Sequence, residues 1–414
     1  MRVLIINTSE QIGGAAIAAR RLMDALKKNG IKAQMLVRDK QTDRLTVHSV
    51  GEKWMQPIKF VWERLCIWVN NGFSRKNLFA VDIANTGIDV TQLPEFEQAD
   101  VIHLHWVNQG YLSLSNLDKI MHSGKHVVIT MHDQWYFTGI CHYSGKCEKY
   151  KDLCYKCELL SGNFLGDLAL KVFQQKQRIY SDTRLTFVGC SQWMANLAKQ
   201  SKLTQGHKVV SIPNAINTDL FRPQEKQQAR ERLQLPLDKH LLLFGCQRIT
   251  DKRKGFKYLM EALELIKQQK PEFAQNTLLV VVGGEAETLR DKMPFDTIPV
   301  KYVSDPQKMV TLYNAVDIYV TPSLQDNLPN TIMEAMACGI PCVGFNVGGI
   351  PEMIDHQQNG YVAAYKDAQD FANGILWTLT TDYDALSANA RSKVMDTYSE
   401  SAVARKYLEV YESH

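Results

Sequence analysis

No apolar run in this 414-residue sequence reaches the length of a membrane-spanning helix, so a bundle of such spans is not expected. Charge of either sign is scarce in excess. The net charge is +4, too small to imply nucleic acid and compatible with anionic substrates or an anionic membrane surface. Two common phosphate signatures are also missing: no G-x-G-x-x-G and no Gly-Lys-Ser/Thr P-loop occurs. No internal repeat or low-complexity tract stands out. The opening MRVLIINTSEQIGG has neither the length nor the cleavage pattern of a signal peptide, which predicts a cytoplasmic protein. Nine cysteines, an odd count, then favour reduced thiols or metal ligands over a disulfide framework.

What is present is an ordinary globular composition, 45% hydrophobic and 22% charged, long enough for two cored domains. Strand-like runs (RVLIIN, KAQMLVR, ADVIHLHW, KHVVITMHD, RLTFVGCS) alternate with helical patterns such as AAIAARRLMDALKKNG. A second set (HLLLFGCQRI, NTLLVVVGG, IPVKYV, the strand in NAVDIYVTPS, IPCVGFN) follows IPNAINTDLFRP. Such alternation predicts two α/β domains with parallel sheets covered by helices on both faces. The boundary is expected near 214–223, and the last 29 residues or so read as charged amphipathic helices able to close a cleft between the domains.

The densest chemistry lies in PSLQDNLPNTIMEAMACGIPCVGFNVGGIPEMI, from Pro322 to Ile354. Asp326 sits in a Pro-punctuated loop, and Glu334 one to two turns into a following helix, so both can face one ligand. Asn330 and Thr331 are good N-cap types. A helix start offers N–H groups and a positive dipole end to a diphosphate, and Glu334 can accept from a ribose diol. A solvated Glu on an ordinary amphipathic helix is the plain alternative. The loop FGCQRITDKRKGF places Arg248 and Lys254 between a strand and a helix, where a basic pair can neutralise phosphates, and VVVGGE brings Gly283 to a strand exit.

In the first half, Gly13 and Gly14 stand at a strand-to-helix transition suited to a phosphate or sugar oxygen or simply to a tight turn. HLHWVNQG and ITMHDQWYFTG carry His103, His105, Asn108, His132 and Asp133 at strand ends. His103 reads as a structural histidine; His132, beside Asp133, is the better candidate for orienting a sugar hydroxyl. Cys141, Cys147, Cys154 and Cys157 in CHYSGKCEKYKDLCYKC fit the ligand count of a structural zinc, with a thiol loop as the alternative. The stretch WMQPIKFVWERLCIWVNNGFSRK from Trp54 mixes aromatic, apolar and basic residues, suited to a membrane surface, a lipid-linked acceptor or packing within its own domain.

Together these motifs resemble the retaining GT-B glycosyltransferases of family 4, over nearly the whole chain, and most of all the bacterial exopolysaccharide, colanic-acid-type members. The acidic loop and helix resemble the family's E-x7-E motif with Asp326 in place of the first Glu. The resemblance implies two Rossmann-like doubly wound domains facing across a central cleft: an acceptor domain over 1–215, a donor domain over 216–385, and C-terminal helices over 386–414 crossing back to the first. It implies transfer of a sugar from a nucleotide-diphosphate sugar to a glycan or lipid-linked acceptor with retained anomeric configuration, in surface polysaccharide synthesis, with no catalytic metal or other cofactor. His132, Arg248, Lys254, Asp326 and Glu334 become the catalytic set. Gly13, Gly14, Gly283, Asn327, Leu328, Pro329, Asn330, Thr331 and Glu334 become the donor-binding set. A peripheral position on the cytoplasmic face of the inner membrane is a further expectation. A nucleotide-sugar epimerase on the same architecture and a non-catalytic nucleotide-sugar-binding protein are the competing readings.

Overall fold

The computed structural model describes residues 1–50, 55–248, 250–289 and 292–413. They form two compact units: Met1–Ala215 with Val403–His414, and Ile216–Ala402. The chain thus returns to the first unit only at Val403, and the helix Tyr383–Thr397 belongs to the second.

In the first unit, seven strands are β1 (Arg2–Ser9), β2 (Lys32–Asp39), β3 (Val47–Ser49), β4 (Val101–Leu104), β5 (His126–Met131), β6 (Leu185–Gly189) and β7 (Lys208–Ser211). All pair in parallel in the order β3-β2-β1-β4-β5-β6-β7. A sheet covered on both faces needs apolar residues on both, and β1 supplies them in alternation. Leu4 and Ile6 enter one core with Ile102, Leu104 and Ile129, while Val3 and Ile5 enter the opposite one with Val101 and Val128. The final helix, Glu400–Glu412, buries Val403, Tyr407 and Tyr411 in that second core.

The second unit holds β8 (His240–Arg248), β9 (Thr277–Gly284), β10 (Thr297–Val300), β11 (Ile318–Thr321), β12 (Cys342–Phe345) and β13 (Gly360–Ala363), again parallel, in the order β10-β9-β8-β11-β12-β13. In each sheet the order runs outward from one strand, then restarts on its other side: between β1 and β4, and between β8 and β11. Open α/β sheets bind ligands at the carboxyl ends of strands at such switch points. Among the described residues no helix is long and apolar enough to cross a membrane.

Candidate active site

At the switch point of the second sheet, loops leaving β8, β11 and β12 are held against one another by two glycines. Gly255 has φ +67°, and a Cβ there would stand 1.7 Å from the Pro322 carbonyl oxygen. Gly348 has φ +60°, and its Cβ would stand 1.7 Å from the Asp326 carbonyl oxygen. Only glycine tolerates both the conformation and the approach. The Leu324 N–H donates to the Arg253 carbonyl at 2.6 Å, tying the basic turn Lys252–Lys254 to the acidic loop. Lys254 Nζ then reaches Asp326 Oδ2 at 2.6 Å, and the Ser323 hydroxyl donates to the same oxygen at 3.3 Å. Arg248, at the end of β8, is exposed.

The helix Asn330–Ala337 begins beside this pair. Its N-cap is Pro329, not Asn330 or Thr331, and no side chain caps it. Those two residues occupy its first turn because Pro329 has fixed φ near the required value and needs no N–H partner. Asn327 and Leu328 are buried before it. Glu334 is buried too, and the Tyr313 hydroxyl donates to its Oε2 at 2.9 Å. Burial, and then the Glu334 charge, raise the Tyr313 phenol far above its ordinary range, so it remains the donor. Gly283, in β9, lies one strand over, with φ 155°.

The first sheet has its own polar switch point. Trp106 N–H donates to Asn7 Oδ1 at 2.9 Å and the Thr8 hydroxyl to the Asn108 carbonyl at 3.0 Å, joining the end of β1 to the loop after β4. Gly13 caps the helix Gly14–Lys28 with φ 91°, and nothing lies within 4 Å of where its Cβ would be. Buried Glu10, which the sequence reading passed over, fixes the adjoining loop by accepting from the Gln41 and Thr42 N–H groups at 2.9 and 3.0 Å. It left no pattern to find, since its partners, two backbone N–H groups and the Thr42 hydroxyl, are 31 and 32 residues away.

His103 is structural: Tyr411 and Thr130 hydroxyls sit 2.7 Å from its two ring nitrogens. His132 and Asp133 are neighbours in sequence but not partners. Asp133 binds His142 Nδ1 and Trp106 Nε1, each at 2.8 Å, whereas His132 Nε2 meets His105 Nδ1 at 2.8 Å. Both follow β5 in a bend, and their side chains take different hydrogen-bond partners there. Burial lowers His103 to about 3 and His132 to about 4, and drives His105 well below its ordinary value. All three are neutral at neutral pH. His105 Nε2 is buried without a partner, and an orphaned acceptor is cheaper than an orphaned N–H. The arrangement therefore has His105 Nδ1–H donating to His132 Nε2, with a proton on His132 Nδ1. Asn108, 1% exposed in the loop after β4, leaves both side-chain amide atoms unsatisfied.

Residues 238–381 match the family described as Glycosyl transferases group 1. The chain is 30% identical over 180 residues to D-inositol 3-phosphate glycosyltransferase 2 of Catenulispora acidiphila, covering 41% of this chain and 42% of that protein. It is 26% identical over 217 residues to the D-inositol 3-phosphate glycosyltransferase of Thermobispora bispora, covering 49% and 50%. The chain spans about half the length of the curated relatives it matches. Among solved structures, Anabaena HepE in complex with UDP-glucose aligns over 100% of both chains at 14% identity, TM-score 0.66. Sucrose-phosphate synthase from Thermosynechococcus elongatus aligns over 100% and 98% at 18% identity, TM-score 0.65. WaaG, a glycosyltransferase involved in lipopolysaccharide biosynthesis, aligns over 100% of both at 15% identity, TM-score 0.63.

The fold is GT-B.

In this GT-B chain the cysteine loop does not show the zinc site expected of it. Among the described residues no group of three or more His, Cys, Asp or Glu side chains is arranged to hold a metal ion. Cys141 and Cys154 are drawn into the hydrophobic core, where burial pushes their thiols up to about 12 and about 11. Cys147 and Cys157 remain only partly buried. The core lysine beside them, Lys176, donates to the carbonyls of Trp135, Thr138 and Gly139, so it fastens the turn that follows His132 and Asp133. The expected aromatic helix exists as Met55–Asn70; Trp54 lies outside the described residues.

Proposed function

We propose that this GT-B chain is a glycosyltransferase that moves a sugar from a nucleotide-diphosphate sugar to a hydroxyl of a glycan or lipid-linked acceptor, with anomeric configuration retained, in bacterial surface polysaccharide synthesis. The observation that carries the reading is the Lys254–Asp326 pair at the second sheet's switch point, within the segment that matches the group 1 glycosyltransferases. Lys254, with Arg248 and the first-turn N–H groups of the helix at Asn330, offsets charge developing on the departing diphosphate. Gly283 would let the donor approach the backbone of the second unit, and Gly13 and Gly14 would let a phosphate or sugar oxygen approach that of the first. Asp326 takes a hydroxyl of the donor sugar, and buried Glu334, held by Tyr313, the ribose. Neutral His132, oriented by His105, positions a hydroxyl of the transferring sugar; the leaving phosphate accepts the acceptor's proton.

The donor class is decided by melting the protein with UDP, GDP and ADP and their sugars. A ligand of the folded state raises the melting temperature. Consumption of the stabilising nucleotide sugar without any acceptor would instead favour the epimerase reading. The names of the curated relatives favour a second acceptor, a phosphorylated cyclitol. Paired assays with inositol phosphate and with a lipid-linked oligosaccharide separate the two. Transfer surviving EDTA supports charge compensation by the protein; loss restored by magnesium overturns it.

A further inference from the structure

The helix Met55–Asn70 in the first unit is inside out. Its buried residues are Glu63, Arg64, Ile67 and Asn70, three of them polar or charged. Its outward stripe is Ile58, Val61, Trp62 and Leu65, spaced i, i+3, i+4 and i+7, with the first three 59%, 58% and 53% exposed. An ordinary surface helix presents the reverse arrangement.

The inversion is locked by hydrogen bonds. Glu63 Oε1 accepts from the N–H groups of Ile83 and Ala84 at 3.1 and 2.6 Å. Arg64 donates to the Leu78 and Val81 carbonyls at 2.7 and 3.0 Å and pairs with buried Asp82 at 2.8 Å. Asn70 Oδ1 accepts from the Leu165 N–H at 2.7 Å. Rotating the helix to hide its stripe would carry Glu63 and Arg64 away and leave the buried Asp82 carboxylate, the Ile83 and Ala84 N–H groups and the Leu78 and Val81 carbonyls without these partners, which is costly. The stripe is therefore held outward by the fold. It continues past the helix end through exposed Phe73, which meets exposed Phe164 at 6.0 Å between ring centroids.

We propose that this stripe seats on an anionic lipid surface, with the helix axis lying in the plane of the interface. The charge around the stripe selects that occupant. Between Met55 and Phe79 the sole acid is Glu63, which is buried, whereas Arg75 and Lys76 are exposed just beyond the helix. Exposed Lys171 is anchored beside Leu165, its Nζ donating to that carbonyl at 2.6 Å. An apolar face rimmed by cations suits acyl chains below anionic headgroups. A symmetric contact between two copies would bring the same cationic rims together. Trp62 has the amphipathic ring that settles at headgroup depth. The proposal does not depend on which sugar the protein transfers.

Flotation of the full chain with vesicles tests it. Wild type is expected to float with phosphatidylcholine vesicles containing phosphatidylglycerol, weakly with phosphatidylcholine alone, and less as salt rises. Trp62→Ser with Leu65→Ser should lower partitioning by at least about tenfold, since both side chains would otherwise leave water. Arg75→Gln with Lys76→Gln should remove most of the salt-sensitive part while the melting temperature holds. Ile58→Ser with Val61→Ser serves if the first pair fails to fold. Wild type that stays with the soluble fraction in both vesicle types overturns the proposal. So do stripe variants that float like wild type, or a concentration-dependent dimer in sedimentation that the stripe variants abolish.

Discussion

Lys254 Nζ and Asp326 Oδ2 stand 2.6 Å apart, joining two residues that are 72 positions apart in sequence and leave different strands. The pair is partly exposed, 31% and 15%, so its contribution to stability is under about 1 kcal/mol. In the proposed function its two members are the donor-diphosphate and donor-sugar contacts. Lys254→Ala should therefore cost roughly 100-fold or more in transfer while moving the melting temperature little. Steady-state kinetics beside a thermal melt check this; full activity with an unchanged melt would remove Lys254 from the site.

The glycines around that pair separate scaffolding from ligand contact. Gly255→Ala and Gly348→Ala each drive a Cβ to 1.7 Å from a carbonyl oxygen and should destabilise the second unit by more than about 1 kcal/mol. Gly13→Ala meets no atom within 4 Å and bears only the strain of φ 91°, about 1 kcal/mol. Activity lost at Gly13→Ala beyond that small loss of stability would report a ligand against the backbone there. Denaturant titration with parallel assays distinguishes the two cases.

Tyr313→Phe removes the hydroxyl that donates to Glu334 while keeping the ring. Loss of a donor to a buried carboxylate should cost about 1 to 3 kcal/mol of stability. If Glu334 holds the ribose, the variant's nucleotide-induced rise in melting temperature should also shrink. An unaltered rise would confine Tyr313 and Glu334 to packing.

Much of this was legible from periodicity, because buried parallel strands read as continuous apolar runs. β1, β2, β4, β5 and β6, and β8 to β12, all fall where such runs occur. β3, β7 and β13 leave no such run: VHS, KVVS and GYVA are three or four residues long and each carries polar residues or a glycine. The site was legible as residue types at strand ends but not as partners. Nothing in the spacing says that Lys254 meets Asp326 or that Asp133 chooses His142 over His132. The cysteine loop was legible as four thiols but not in its burial, since spacing does not say that Cys141 and Cys154 fill the core. Glu63 and Arg64 look like the solvated face of an amphipathic helix until the buried carbonyls, N–H groups and Asp82 they serve are seen.

The three low-pKa histidines of the first unit give stability a defined dependence on acid. His103 and His132 are held at about 3 and about 4, and His105 well below its ordinary 6.5, with burial the first cause in each. Their folded values are depressed, so below pH 6.5 the unfolded chain binds protons that the native state refuses. Stability should be full above pH 6.5 and fall as pH drops toward 4. By pH 5 each fully buried imidazole costs about 2 kcal/mol, and half-buried His132 less. His142 works in the other sense: burial opposes its charge, but Asp133 at 2.8 Å outweighs it and raises its pKa. Its contribution is complete below pH 6.5 and is lost as pH rises above that, so it cannot mask the acid-side loss. Urea unfolding at pH 7.5, 6 and 5 should show a slope steeper than one proton between the last two, and a flat profile there would mean that these imidazoles are hydrated rather than buried.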